Sequence, residues 1–308
     1  MPLRDVLTAL FVALVLGSNF VAIKIGLETV PPLLLTGLRF LFAAIPAVLF
    51  IRPPKAPARL VVAFGLTLGV VQFGLLFVAI RLGMPAGLSS LIIQMQVFFT
   101  IALAYVLLDE RPAGPQVLGG LVAAGGVAVI AVARVQGATV MPMMLVIGAA
   151  MAWGSANIIV KKAGRIDMLS LMVWGSLVAP PPLFALSLLI EGQDAVFGAL
   201  AHLTWRAVGA IAFLAYPSTL LAFALWNRLL SRYPAATVTP FALLVPVAGI
   251  ASTSLVLGEA FGDIELAGAA LVLAGLALNV WGGVEAQRRR GTARDGSWPP
   301  AQRDATLT

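Results

Sequence analysis

The chain has 308 residues, of which 60% are hydrophobic and only 11% charged. A soluble domain is about 25% charged and needs polar surface to cover its core, so this composition points to lipid as the solvent. The formal charge of +7 sits at segment ends and in the C-terminal tail rather than along one stripe, which leaves a nucleic-acid partner without support. With no cysteine and a single histidine, His202, disulfides, thiolate nucleophiles and Cys/His metal sites are excluded, and no cofactor is expected.

From the N-terminus, Met1-Pro2-Leu3-Arg4-Asp5 leads into an apolar run starting at Val6. A signal peptide opens this way, but Gly17-Ser18-Asn19 is followed by more apolar sequence and Lys24 instead of a cleavage site. The run therefore reads as an uncleaved first span. At about 20 apolar residues per crossing, runs over 6–23, 31–51, 60–80, 84–107, 116–133, 142–160, 168–190, 205–226, 235–257 and 265–284 predict ten transmembrane helices. Pro31-Pro32, Arg52-Pro53-Pro54, Arg111-Pro112, Met141-Pro142 and Tyr233-Pro234 mark joints. The joints are too short for a second domain.

Basic residues set the direction. With the N-terminus cytoplasmic, the inside holds Arg4, Arg52, Lys55, Arg59, Arg111, Lys161, Lys162, Arg165, Arg228, Arg232 and the tail arginines. The outside keeps only Lys24, Arg81, Arg134 and Arg206. Both termini are thus expected in the cytoplasm of a bacterial-type cell. The polar segment 285–308, with Arg288-Arg289-Arg290 and Pro299-Pro300, reads as a basic disordered tail attracted to anionic lipid.

The two halves resemble each other. Gly17-Ser18 followed by Lys24 recurs as Gly154-Ser155 followed by Lys161, an offset of 137 residues. Further on the offset becomes 149: Pro85-Ala86 matches Pro234-Ala235, Glu110 matches Glu259, Gly119 matches Gly268 and Gly126 matches Gly275. Each half holds five spans, an odd number, so the second copy enters the membrane upside down. Inverted repeats around a midplane site belong to secondary transporters. Gly65-xxx-Gly69 and the pairs Gly119-Gly120 and Gly125-Gly126 offer smooth strips for close helix packing. These strips pack within one chain or support a weak homodimer.

Polar side chains inside spans mark cavities or partner helices. The candidates are Asn19, Gln72, Gln94, Gln96, Trp153, Asn157, Tyr216 and Trp226, with Arg39 as the one cation well inside a span. Gln94 and Gln96 are two residues apart, about 200° around a helix, so at most one is expected to line a cavity squarely. Amides with Trp and Tyr suit a zwitterionic small molecule: donors for a carboxylate, acceptors for an ammonium, apolar walls for the rest. Arg39 awaits a structural partner or a carboxylate on the cargo. No Asp, Glu or His falls mid-span, which predicts weakly coupled or uncoupled movement rather than a proton relay.

Several strings resemble one family. Gly17-Ser18-Asn19-Phe20-Val21-Ala22-Ile23-Lys24, Pro31-Pro32 and Gly37-Leu38-Arg39-Phe40 resemble the start of EamA-type carriers of the drug/metabolite transporter superfamily. Gly83-Met84-Pro85-Ala86-Gly87-Leu88, Gln94-Met95-Gln96-Val97-Phe98-Phe99-Thr100, Glu110-Arg111-Pro112 and Leu243-Leu244-Val245-Pro246-Val247 with Glu259 are similar to its cysteine and O-acetylserine exporter branch. The resemblance covers roughly residues 5–284. It implies an all-α membrane protein of ten helices in two inverted five-helix repeats around a central cavity. Those repeats would be 1–135 and 136–287, with the tail at 288–308. It also implies export of small neutral amino acids or related metabolites, and a cavity walled by Asn19, Gln72, Gln94, Gln96, Trp153, Asn157 and Tyr216. One difference is that Asn157, in Trp153-Gly154-Ser155-Ala156-Asn157, is displaced by one residue from the counterpart of Asn19. An aromatic or broad-range amino-acid or drug exporter is the alternative. A membrane receptor or an intramembrane enzyme is the rival class. The enzyme would need a nucleophile with its base, paired carboxylates or a metal site, none of which the sequence displays.

Overall fold

The computed structural model describes residues 2–110, 112–135, 140–164, 166–232 and 238–295, and every regular element among them is helical. Hydrocarbon cannot hydrogen-bond a bare backbone, so a helix, which satisfies its own N–H and C=O groups, is the form these apolar runs adopt. The expected features at Arg111, Arg165 and Tyr233-Pro234-Ala235, and the tail beyond 295, lie outside the described residues.

In chain order, α1 is Leu3–Gly26 and α2 is Pro32–Ala44, resuming as Ala47–Phe50 beyond Ile45-Pro46. Proline lacks the N–H that would continue the ladder there. Next come α3 (Ala58–Arg81), α4 (Ala86–Leu108), α5 (Gly114–Val135), α6 (Val140–Ala163) and α7 (Met168–Glu191). Then α8 is the short Gln193–Ala201. The ninth, α9, runs through Trp205–Phe213, Leu214–Leu221 and Ala222–Arg232. Thr239–Leu243 and Leu244–Leu257 form α10, and Asp263–Asp295 is α11. Eight of the expected spans are helices long and apolar enough to cross a membrane; the other two apolar runs, Gly114–Ile130 and Phe241–Leu257, are shorter.

Two expectations change. Helix α8 occupies what the sequence reading takes as a joint. Helix α11 continues to Asp295, so residues 288–295 are helical rather than disordered. Ala, Gln, Glu and Arg are strong helix formers, and a helix already nucleated by a span extends through them at little cost.

Glycine governs how the helices meet. A Cβ at Gly119 would lie 2.5 Å from the Gly275 carbonyl oxygen, and one at Gly126 would lie 2.6 Å from that of Gly268. Helices α5 and α11 therefore touch backbone to backbone. A Cβ at Gly17 of α1 would lie 2.5 Å from the Ala248 side chain of α10, and one at Gly154 of α6 would lie 2.9 Å from the Phe99 side chain of α4. Between these seams Ile23, Leu35, Phe77, Ile80, Met84, Leu88, Leu91 and Ile92 are fully buried in one core.

Polar ties close one end of the bundle, where α1 finishes and α2 begins. Glu191 of α7 accepts from the Leu33 and Leu34 N–H groups at 2.7 and 3.3 Å, and from the Ser187 hydroxyl. Glu259, beyond α10, accepts from the Ala86 and Gly87 N–H groups at 2.8 and 2.9 Å. Pro31 and Pro85 precede α2 and α4 and supply no side-chain cap. Carboxylates from the distant half satisfy those orphan N–H groups and the positive helix ends instead. Arg206 pairs with Glu28 at 3.1 Å, and Arg81 donates to the Leu27 carbonyl at 2.6 Å. At the opposite end Lys161 pairs with Glu110.

Two adjacent glycines give a paired test. Gly125 has open space where a Cβ would go, whereas Gly126 meets backbone. Gly125→Ala should stabilise by about 0.5–1 kcal/mol through helix propensity. Gly126→Ala should destabilise by about 1–3 kcal/mol through overpacking. Thermal unfolding in detergent should show the two shifts with opposite signs. Asp167 caps α7, accepting from the Ser170 hydroxyl at 2.6 Å and the Ser170 N–H at 3.0 Å. The Ser170 hydroxyl holds its carboxyl below the usual 3.8. The folded pKa is depressed, so the cap's contribution is present above pH 3.8 and fades as pH falls through the lowered value. Asp167→Ala should cost about 1 kcal/mol at pH 7 and little at the acid end.

Candidate functional site

A cavity of about 240 Å³ lies between α1, α3, α4, α6, α9 and α10, with Arg39 reaching it from α2. Its position follows from broken helices. Helix α3 widens into a π-helical turn over Gly65–Gln72, and α9 does so over Leu214–Leu221, around Pro217. Helix α4 tightens into a 3₁₀ turn at Ile93–Met95, and α10 begins with one at Thr239–Leu243. Leu68, Gln72, Ser218, Ile93, Gln94 and Ala242 all come from these turns and line the cavity. In lipid, irregular backbone is tolerated where it faces protein or a wet space, and π turns often mark functional positions. The Thr219 hydroxyl donates to the Leu214 carbonyl at 2.7 Å, satisfying an acceptor in the widened turn.

Asn19 is buried and lines the cavity, its Oδ1 accepting from the Ser218 hydroxyl at 2.7 Å. Trp153 and Trp226 form parts of the wall together with Phe20, Phe73 and Phe223. Gln72 is 1% exposed, and neither its amide nitrogen nor its amide oxygen has a hydrogen-bond partner. Arg39, 2% exposed, donates from Nε to the Thr219 hydroxyl at 3.1 Å. Its guanidinium carbon lies 4.0 Å from the centre of the Phe73 ring and 5.5 Å from that of Phe40. Its Nη1 has no partner.

The geometry corrects three expectations. Gln94 and Gln96 both line the cavity, because the 3₁₀ turn at Ile93–Met95 breaks the regular step on which their separation rested. Gln94 is buried, whereas Gln96 is half-buried and accepts from Asn157 Nδ2 at 2.8 Å. Asn157 is not among the lining residues; it also donates to the Thr100 hydroxyl at 3.0 Å, so it serves as an interhelical bridge between α6 and α4. Tyr216 is likewise absent from the wall and is 41% exposed. The π turn directs Ser218 into the cavity and leaves Tyr216 on the outside. Ser218 was legible only indirectly, as a hydroxyl following a proline inside an apolar run.

The wall can bind but offers little for catalysis. Among the described lining residues Arg39 is the one formal charge, and no Asp, Glu or His borders the space. Amides, one hydroxyl, aromatic faces and aliphatic side chains complete it, which suits reversible recognition of a small molecule with polar and apolar parts.

The EamA-like transporter family model matches the chain twice, over residues 3–132 and 140–281. A probable amino-acid metabolite efflux pump of Salmonella typhimurium is 42% identical over 288 residues, covering 92% of this chain and 96% of that protein. A protein of the same description from Escherichia coli is 40% identical over the same shares. A probable terminal-alkyne amino-acid exporter of Streptantibioticus cattleyicolor is 27% identical, covering 85% of this chain and 88% of that protein. One solved crystal structure aligns with a TM-score of 0.59 at 20% identity, covering 89% of this chain and 95% of that one, and so shares the fold.

Trp153 and Tyr216 separate wall from exterior. Trp153→Ala removes an aromatic contact worth about 1.5 kcal/mol and should raise the half-saturating cargo concentration about tenfold. Tyr216→Ala should leave it unchanged. Asn157→Ala should lower thermal stability by about 0.6–2 kcal/mol through loss of its interhelical bonds.

Proposed function

The chain belongs to the EamA-like transporter family, and from that premise we propose that it exports small neutral amino acids or related metabolites, similar in size and polarity to cysteine and O-acetylserine, across the bacterial inner membrane by alternating access. The observation that carries this reading is the cavity: enclosed by broken helices, walled by amides and aromatic rings, and bordered by no described acidic or histidine side chain. The efflux-pump descriptions of the Salmonella and Escherichia coli relatives support it. The volume of about 240 Å³ falls below the ~300–1,000 Å³ of drug-sized sites, which favours small cargo. Five aromatic side chains on the wall, Phe20, Phe73, Trp153, Phe223 and Trp226, favour aromatic cargo as a second reading.

The finer architecture is ten spans in two inverted five-helix repeats, 1–135 and 136–287, with both termini cytoplasmic and the protein acting alone or as a weak homodimer. The double family match supports the repeats. So does an exchange of contacts. Gly119 meets Gly275 while Gly126 meets Gly268, and the 149-residue offset converts each pair into the other. Gly17 meets Ala248 and Gly249, while its counterpart Gly154 meets Phe99 and Thr100, again 149 residues away. The π turns at Gly65–Gln72 and Leu214–Leu221 keep that spacing too. Left-handed caps at Asp109 (φ 55°) and Gly258 (φ 67°) precede the paired Glu110 and Glu259. Asn19, Gln72, Gln94, Gln96, Trp153 and Trp226 would contact cargo, with Asn157 holding Gln96 in place.

Proteoliposomes containing the protein should accumulate radiolabelled O-acetylserine or cysteine with saturable kinetics, and vesicle pH should stay constant during flux. Flux confined to tryptophan and phenylalanine would favour the aromatic reading. Stoichiometric proton movement would contradict uncoupled transport.

A further inference from the structure

A cation enclosed in the wall of an apolar cavity calls for an anion. Among the described residues nothing that touches Arg39 supplies one: Thr219 takes one hydrogen bond, Phe73 covers the guanidinium plane, and Nη1 stays unpartnered. On the same cavity Gln72 leaves both amide atoms unpartnered while 1% exposed. Buried polar groups normally find partners, and two orphans bordering one cavity are a standing cost to the fold unless a ligand relieves it. The lining contains no described aspartate or glutamate. Glu191 and Glu259 are occupied on helix N-termini, and Glu110 and Glu28 are in ion pairs.

We infer that Arg39 and Gln72 form an anchor for a free carboxylate on the cargo, making that carboxylate obligatory and a free ammonium dispensable. This rests on the export reading above. Guanidinium N–H donors match a carboxylate in a planar fork, and the Gln72 amide N–H can add a third bond. The cargo's nitrogen has amide oxygens, the Ser218 hydroxyl and ring faces to meet but no described carboxylate, so an acylated N–H can take the place of an ammonium there. An amine or ester without a carboxylate would bring a second positive charge beside an unneutralised Arg39, in a low-dielectric space where repulsion is strong. The unpartnered atoms are shielded from water in this conformation, so the anchor engages as the walls part during the cycle. The cargo class is therefore small carboxylates with an amino or acylamino group, and esters and decarboxylated amines are rejected.

The test uses the full chain in proteoliposomes, with protein-free vesicles to subtract passive leak. Three forms of one scaffold are compared: O-acetyl-L-serine, its methyl ester and its N-acetyl derivative. Saturable flux of the acid and the N-acetyl acid within about threefold of each other, with ester flux at least about 20-fold lower, supports the anchor. Ester flux comparable to the acid, or exclusion of the N-acetyl acid, overturns the anchor and leaves the export reading standing. No protein-dependent flux of any form overturns both. Arg39→Gln should raise the half-saturating acid concentration roughly 10- to 100-fold and bring acid and ester rates together. Gln72→Leu should do the same more weakly. A loss in Arg39→Gln that is equal for acid and ester, with their ratio kept, would mark Arg39 as structural and overturn the proposal. The wild-type cargo series decides the matter even if a variant fails to fold.

Discussion

Hydrocarbon will not hydrogen-bond a backbone, and the rest of this structure is arranged around that constraint. Every apolar run becomes a helix because a helix is self-sufficient. Departures from regular winding are then expensive unless something other than lipid meets the freed groups. Here the π turns of α3 and α9 and the 3₁₀ turns of α4 and α10 all contribute residues to the same cavity. Two other irregularities, the break at Ile45-Pro46 in α2 and the π turn at Ser187–Glu191 in α7, contribute no residue to it. Pro217 sits in mid-span within the π turn of α9, where the Thr219 hydroxyl donates to the Leu214 carbonyl.

Without a hydrophobic difference between lipid and side chain, helices must be held by close contact and polar ties. Glycine provides the contact along the seam of α5 and α11 and along those of α1 with α10 and α6 with α4. Carboxylates provide the ties, each crossing between the first and second halves of the chain: Glu191 on the start of α2, Glu259 on the start of α4, and Glu28 with Arg206. Such ties suit a rocking carrier because each is a small, reversible interaction near water, whereas the glycine seams are continuous.

The carboxylate anchor fits the same economy. A lone cation is tolerated at depth when aromatic faces and a hydroxyl surround it, as Phe73, Phe40 and Thr219 surround Arg39. Incomplete pairing leaves binding energy for the cargo that a fully satisfied network would have spent on the resting fold.

The sequence by itself determined the solvent, the helices and most of the polar cast. Hydropathy placed the start of each apolar run within a few residues of its helix, because apolar character is a local property and lipid reads it directly. The recurrence of Gly-Ser, Glu and Gly at fixed offsets was visible there too, and Asn19, Gln72, Trp153 and Trp226 stood out as polar or amphipathic groups in greasy runs. Only the tertiary structure decided which of them meet. A regular 100° step set Gln94 against Gln96, but a 3₁₀ turn let the cavity reach both. Their place inside apolar runs made Asn157 and Tyr216 look like wall residues, yet one bridges α6 to α4 and the other faces outward. Helical periodicity assumes even winding, and this chain departs from it where its cavity lies, so the geometry of the site depends on contacts between residues up to 199 positions apart.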